Sequence, residues 1–243
     1  MEYFFLLVVS FLSNLFSAFS GGGAGIIQLP AILLIFEISF PVALATHKIS
    51  TVLLGVGASL KFFETNSPNK KLMIEGLLIG APSVVLGAYL INYIDEDLAR
   101  NFLGLLILFV FFISLINKTN VTANNKQSFY YAYPLLFIIG ILNGSLSAGT
   151  GLLYTLMLVH LYGMSYKLAI AYTLLIVGFF YNLIGAITLY ILSSIDMYLL
   201  PILLIGSFIG GYLGASMAIK KSNRTIKIIY QMTTLIIAVK LLA

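Results

Sequence analysis

Apolar runs of about 20 residues recur from one end of this chain to the other, each long enough to cross a bilayer as a helix. This feature removes most architectures at once. In hydrocarbon every backbone N–H and C=O must be satisfied internally, so only helices and closed barrels can span a membrane. The runs are continuous rather than alternating, which excludes a barrel. Composition agrees, with 60% of the 243 residues hydrophobic and 9% charged, where a soluble domain has roughly half and a quarter. The chain reads as an all-α polytopic membrane protein whose first partner is the lipid bilayer. Its longest polar stretch, Asn117 to Ser128, is a loop and not a soluble domain.

The net charge of +5 does not point to nucleic acid. The basic residues are scattered and no stacking platform accompanies them, and cytoplasmic loops of membrane proteins collect Lys and Arg. The absence of cysteine removes disulfides, thiolate metal sites and cysteine nucleophiles. No metal and no cofactor is expected. The first segment carries Glu2, no Lys or Arg before its apolar run, and no A-x-A site after it. It is expected to be a retained membrane segment.

By apolar length the spans are roughly 3–19 with 25–36, then 41–60, 72–93 and 98–116; after the loop come 129–146 with 151–163, then 168–192, 197–219 and 225–242. The first block of each set is long and broken by small residues. A shift of 126 residues relates the sets, laying "SGGGAGIIQLP" (Ser20 to Pro30) on "LSAGTGLLYTL" (Leu146 to Leu156). Gly23 then matches Gly149, Gly25 matches Gly151, Ala43 matches Ala169, Ala45 matches Ala171 and Gly80 matches Gly206. The chain therefore divides into a first transmembrane repeat, 1–118, a cytoplasmic linker, 119–128, and a second repeat, 129–243. Repeats of this kind typify secondary transporters.

Loop charges suggest how the repeats lie. If every block crosses once, Lys and Arg divide almost evenly between the two sides, against the positive-inside rule. If the broken block of each half enters and leaves on one side, the halves are inverted, and 10 of the 13 Lys and Arg share a side. The opposite side collects Glu2, Glu37, Asp95, Glu96, Asp97 and Asp196. The expected fold is two inverted repeats, each a broken helical hairpin followed by three transmembrane helices. Both termini lie outside and the linker lies in the cytoplasm.

Irregular backbone at membrane depth is tolerated only where protein buries it or it lines a cavity. A broken hairpin also sets the N-terminus of its second half-helix inside the membrane, where free N–H groups favour anions. Ser20, Gly21, Gly22, Gly23 and Gly25 offer such groups in the first half, with Gln28 just beyond. Ser147, Ala148, Gly149, Thr150 and Gly151 do so in the second. The alternative is that these small residues only allow tight helix packing. In "ALATHKIST" (Ala43 to Thr51), Thr46 and His47 lie early in a span, and an intramembrane ionisable group is a functional candidate. His47 either binds an anion or carries a proton, or has a packing role. Lys48 is expected to snorkel to the headgroups. The equivalent register of the second half reads Tyr172 and Thr173, so the site is asymmetric. Asn143, Ser145, Asn182 and His160 are weaker polar features. Tyr130 to Pro134 reads as an interfacial aromatic anchor.

The Gly-rich "GGGAGIIQLP", the "FPVALATHK" of the second span, the "GAPSVVLGAYL" of the third, and their recurrence in the second half resemble the sulfite exporter TauE/SafE family of membrane permeases. Family members often read N-P-x-x-A-x-G-T-S at the second span. Here Pro41, Ala43 and Thr46 match, Ala45 replaces Gly, and His47 replaces the usual small polar residue. The resemblance covers nearly the whole chain. It implies a plasma-membrane carrier of a small sulfur-containing anion: sulfite, a sulfonate, sulfoacetate or thiosulfate. Self-association is left open.

A secondary transporter of a small anion is thus the leading expectation, with no Walker A motif to couple it to ATP. A channel or a non-transporting scaffold is the second reading. An intramembrane serine protease built on "GSLSAG" (Gly144 to Gly149) is the third, and it needs a base from His47 or His160.

Overall fold

The structure is a computed structural model of the chain, and it describes residues 1–36, 38–64, 67–93 and 128–242 with scattered positions between 95 and 115. Among the described residues it is helical throughout, with no strand. The helices are α1 (Glu2–Ser20), α2 (Ala24–Phe36), α3 (Phe40–Phe62), α4 (Lys70–Leu90), α5 (Ser128–Leu146), α6 (Thr150–Leu161), α7 (Tyr166–Leu192), α8 (Leu200–Ile219) and α9 (Asn223–Leu242). Of these, α1, α3, α4, α7 and α8 are long and apolar enough to cross a membrane. Most of the expected span 98–116, the linker 119–128 except its last residue, and the charges at Glu37, Glu96, Asp97, Arg100, Lys118 and Lys126 lie outside the described residues.

Local chemistry sets the helix ends. Gly21 closes α1 in the left-handed region (φ 89°), and its N–H bonds to Ser17 O at 2.8 Å, a conformation that glycine adopts without a Cβ penalty. Pro41 sits in the first turn of α3, where a missing N–H costs nothing. Asn69 Oδ1 accepts from the N–H groups of Lys71 (2.9 Å) and Leu72 (3.3 Å) to start α4. Asp196 Oδ1 accepts from Tyr198 (2.9 Å) and Leu199 (3.1 Å) ahead of α8.

Both broken blocks fold back on themselves. The rings of Tyr3, at the start of α1, and Phe36, at the end of α2, lie 5.6 Å apart. A single kinked crossing would put them at opposite ends. Helix α5 likewise packs against α6 after the second break. With 13 residues in α2 and 12 in α6, the two half-helices run about 20 Å and 18 Å from their breaks at 1.5 Å per residue. Together they exceed a hydrocarbon core of about 30 Å.

Packing between the halves is reciprocal. Helix α1 lies along α8, and α4 lies along α5. Both contacts are close because glycine lines them. A Cβ on Gly206 or Gly210 would meet the Phe11 and Leu15 backbone of α1 within 3.0 Å. A Cβ on Gly144 would reach the Ala88 N–H of α4 at 2.6 Å. Small residues let helix backbones approach this way in membranes. The equivalent helices α3 and α7 cross with their directions opposed. The start of α3 meets the end of α7, where Asp196 N–H donates to Thr46 Oγ1 at 3.0 Å. The end of α3 meets the start of α7, where the Phe63 and Tyr172 rings stand 5.4 Å apart.

Candidate functional site

The two breaks touch each other. A Cβ on Gly22 would lie 2.9 Å from Leu152 N, and one on Gly151 would lie 2.9 Å from Gly21 O and 3.2 Å from Gly22 Cα. The breaks also share a backbone pattern at the 126-residue shift. Gly21 (φ 89°) corresponds to Ser147 (φ 61°), and Gly23 (φ 110°) to Gly149 (φ 75°). Ser147 is the one non-glycine residue with positive φ among those described, a strained choice. Helices α2 and α6 start immediately after the breaks. Their first N–H groups have no partner within their own helix, and the helix dipoles place partial positive charge there.

A cavity of about 40 Å³ opens at this meeting point. Gly21, Gly22, Gly23 and Gly25 line it from the first break, and Ser147, Thr150 and Gly151 from the second. Helix α3 adds His47 and Thr51, α5 adds Asn143, and α7 adds Thr173, Gly178 and Asn182. At about 10–15 Å³ for each water-sized occupant, it holds roughly three, the scale of a compact inorganic ion. Among the described residues no carboxylate lines it.

The other residues singled out from the sequence stand around this cavity. Ser20 Oγ donates to Phe16 O (2.8 Å) and Gly22 O (3.1 Å), bracing the first break. Gly149 caps α6. Thr46 receives the Asp196 N–H, and Tyr172 OH accepts from Asn69 N–H at 2.7 Å; both belong to the interhelix turns. Gln28 is fully buried behind His47. Its Nε2 donates to Ser10 Oγ and Ser50 Oγ, each at 2.9 Å, while Ser10 Oγ gives its own proton to Leu203 O. Both amide hydrogens are thereby used, so Oε1 accepts from His47 Nδ1 at 2.9 Å. The ring proton is thus held on Nδ1, and Nε2 faces Gly25, 3.2 Å from where a Cβ would sit.

Lys48 does not snorkel. It is 0% exposed, and its Nζ donates to Asn143 O at 2.5 Å and Asn143 Oδ1 at 3.3 Å. The expected route to the headgroups fails because Lys48 turns inward between α5 and α7, where polar acceptors replace water. The available signal was a Lys in a span, together with two weak Asn positions, 143 and 182, which the fold gathers around it. A second feature invisible to apolar periodicity is the wide π-helical turn of α7 over Leu174–Tyr181. Its Leu174, Val177 and Gly178 reach the cavity, and π segments recur at functional sites. Among the described residues no hydrogen bond joins a histidine to Ser145 or Ser147. Ser145 Oγ donates to Ile141 O, and His160 Nδ1 lies 3.0 Å from Leu156 O.

The fold and cavity define a multi-pass α-helical membrane protein with two broken hairpins meeting at a buried polar cavity. The model of one family, described as sulfite exporter TauE/SafE, matches residues 6–241. The chain belongs to that family. It is 27% identical to the "Probable membrane transporter protein ORF9" of Sinorhizobium sp, covering 98% of this chain and 92% of that protein. It is 25% identical to the "Probable membrane transporter protein YfcA" of Escherichia coli (strain K12), covering 98% and 88%. A "Probable membrane transporter protein" of Haemophilus influenzae is 28% identical over 91% of this chain and 87% of its own length. No solved structure gives a significant match.

Proposed function

We propose that this protein is a secondary transporter of a small sulfur-containing anion in the plasma membrane, working by alternating access around its paired breaks. The observation that carries the reading is the cavity where two half-helix N-termini converge, lined by donors and, among the described residues, by no carboxylate. Broken helices place the same chemistry at the substrate sites of many transporters. Family membership and the printed descriptions of the relatives agree with a transport role. A cavity near 40 Å³ favours sulfite or thiosulfate over the longer sulfoacetate. The opposed directions of α3 and α7, the folded-back blocks and the reciprocal packing of α1 on α8 and α4 on α5 support inverted repeats. In that arrangement both termini are outside and the linker is cytoplasmic.

Counterflow of labelled sulfite into proteoliposomes tests the activity. Saturable exchange is expected. A non-saturating ion current makes the protein a channel, and neither flux nor current removes the transport reading. Because the chain has no cysteine, single introduced cysteines test the topology cleanly. Ser67→Cys and Ser222→Cys are expected to label from the cytoplasm and Ser194→Cys from outside. Ser67→Cys and Ser194→Cys labelling from the same side rejects the inverted arrangement.

A further inference from the structure

His47 and Lys48 are adjacent but serve different partners. His47 bonds to Gln28 of α2, whereas the Lys48 Nζ reaches Asn143 of α5 and, at 3.5 Å, Asn182 Oδ1 of α7. Two asparagine side-chain oxygens and one backbone carbonyl match the three hydrogens of an ammonium. Gly185 leaves the room, since a Cβ there would lie 3.1 Å from Lys48 Cδ and 3.3 Å from Nζ.

A fully buried charge is ordinarily held by an opposite charge. Lys48 has none among the described residues. Glu64 pairs with Lys61 and Glu75 with Lys71, and Asp196 caps α8. Dipoles solvate the ammonium but do not neutralise it. The two asparagines that serve it are also cavity wall. Because their Oδ1 atoms turn to Lys48, their Nδ2 donors turn elsewhere, Asn143 Nδ2 toward Thr150 Oγ1 (3.2 Å) at the second break. The ammonium therefore stands one side chain behind the cavity.

We propose that Lys48 is the specificity-determining positive charge of the anion site, and that the transported anion is its counter-ion. This rests on the anion-transport reading above. Among the described residues the unloaded site then holds an ammonium with no carboxylate opposite it, which an anion offsets, and a cation or neutral solute gains nothing from it.

The test is thermal stabilisation of the purified protein by sulfite, thiosulfate and sulfoacetate, each added alone. Lys48→Gln is expected to weaken binding of the anion that stabilises the wild type by roughly tenfold or more. Gly185→Asp and Gly185→Asn form a second pair, equal in shape and placed behind the cavity wall. Both add the same Cβ beside Lys48, so they are read against each other: the aspartate supplies a fixed counter-charge and is expected to bind the anion roughly tenfold or more weakly than the asparagine. A merely structural Lys48 makes the two Gly185 variants bind alike. Wild-type affinity in Lys48→Gln, or equal affinities in the Gly185 pair, overturns the inference. If Lys48→Gln does not fold, the Gly185 pair decides. A wild type stabilised by none of the three anions removes the transport reading itself, and this inference with it. That outcome is distinct from a wild type that binds and variants that bind equally.

Discussion

Replacing Gly151 with alanine adds one methyl group where the two broken hairpins touch. The new Cβ would lie 2.9 Å from Gly21 O and 3.2 Å from Gly22 Cα, both backbone atoms that cannot swing aside. Relaxed contacts between carbons are about 3.5–4.0 Å, so the breaks must part by roughly half an ångström. Overpacking of this kind costs about 1–3 kcal/mol, and alanine in place of a helical glycine returns about 1 kcal/mol. The net loss is about 0–2 kcal/mol, small enough for the protein to fold. The displacement falls on the donors around the cavity, where small misplacements are expensive, so sulfite counterflow is expected to fall about tenfold or more. The assay pairs counterflow in proteoliposomes with chemical unfolding in detergent. Wild-type flux with wild-type stability would refute the idea that contact between the breaks sets the site. A loss of much more than about 3 kcal/mol would make the contact structural and not functional.

Three further outcomes follow from particular bonds. Ser147→Gly removes a positive-φ strain (φ 61°) and is expected to stabilise the protein by about 1 kcal/mol in the same unfolding assay; a destabilised variant would mean the Ser147 side chain is needed. Tyr181→Phe deletes the buried bond from Tyr181 OH to Gly76 O (2.8 Å), and is expected to cost about 1 kcal/mol while leaving counterflow unchanged. Gln28→Met strands His47 Nδ1 in a buried setting, while Ser10 and Ser50 keep Leu203 O and Ser207 Oγ as partners; the variant is expected to lose about 1–3 kcal/mol of stability, with counterflow reduced because the ring is no longer held.

The helices were legible because the bilayer imposes a length on them. Apolar runs and glycine punctuation placed α1 to α9 within a few residues of their ends, for example 168–192 against Tyr166–Leu192. The breaks were legible for a different reason: four glycines in five positions, and their echo 126 residues on, mark backbone that helix propensity alone would forbid. What the sequence concealed depends on direction. Nothing local says whether Lys48 turns out to lipid headgroups or in to Asn143, because the choice is made by a helix 95 positions away. Gln28 stood beside the first break in the sequence, yet its part is to fix the His47 ring by way of serines on α1 and α3. The π-helical turn at Leu174–Tyr181 replaces ordinary helix in a run whose apolar pattern is continuous, so periodicity had no mark to show.

The glycine seam between α1 and α8 has a mechanical consequence. Backbones in contact at Gly206 and Gly210 cannot slide past one another without clashing, and the seam between α4 and α5 is bound in the same way. Each seam joins a helix from one half of the chain to a helix from the other. The stiff units are therefore not the first and second halves of the chain. They are cross-stitched pairs, and any rocking motion must hinge along lines that run through each half of the chain and not between the halves.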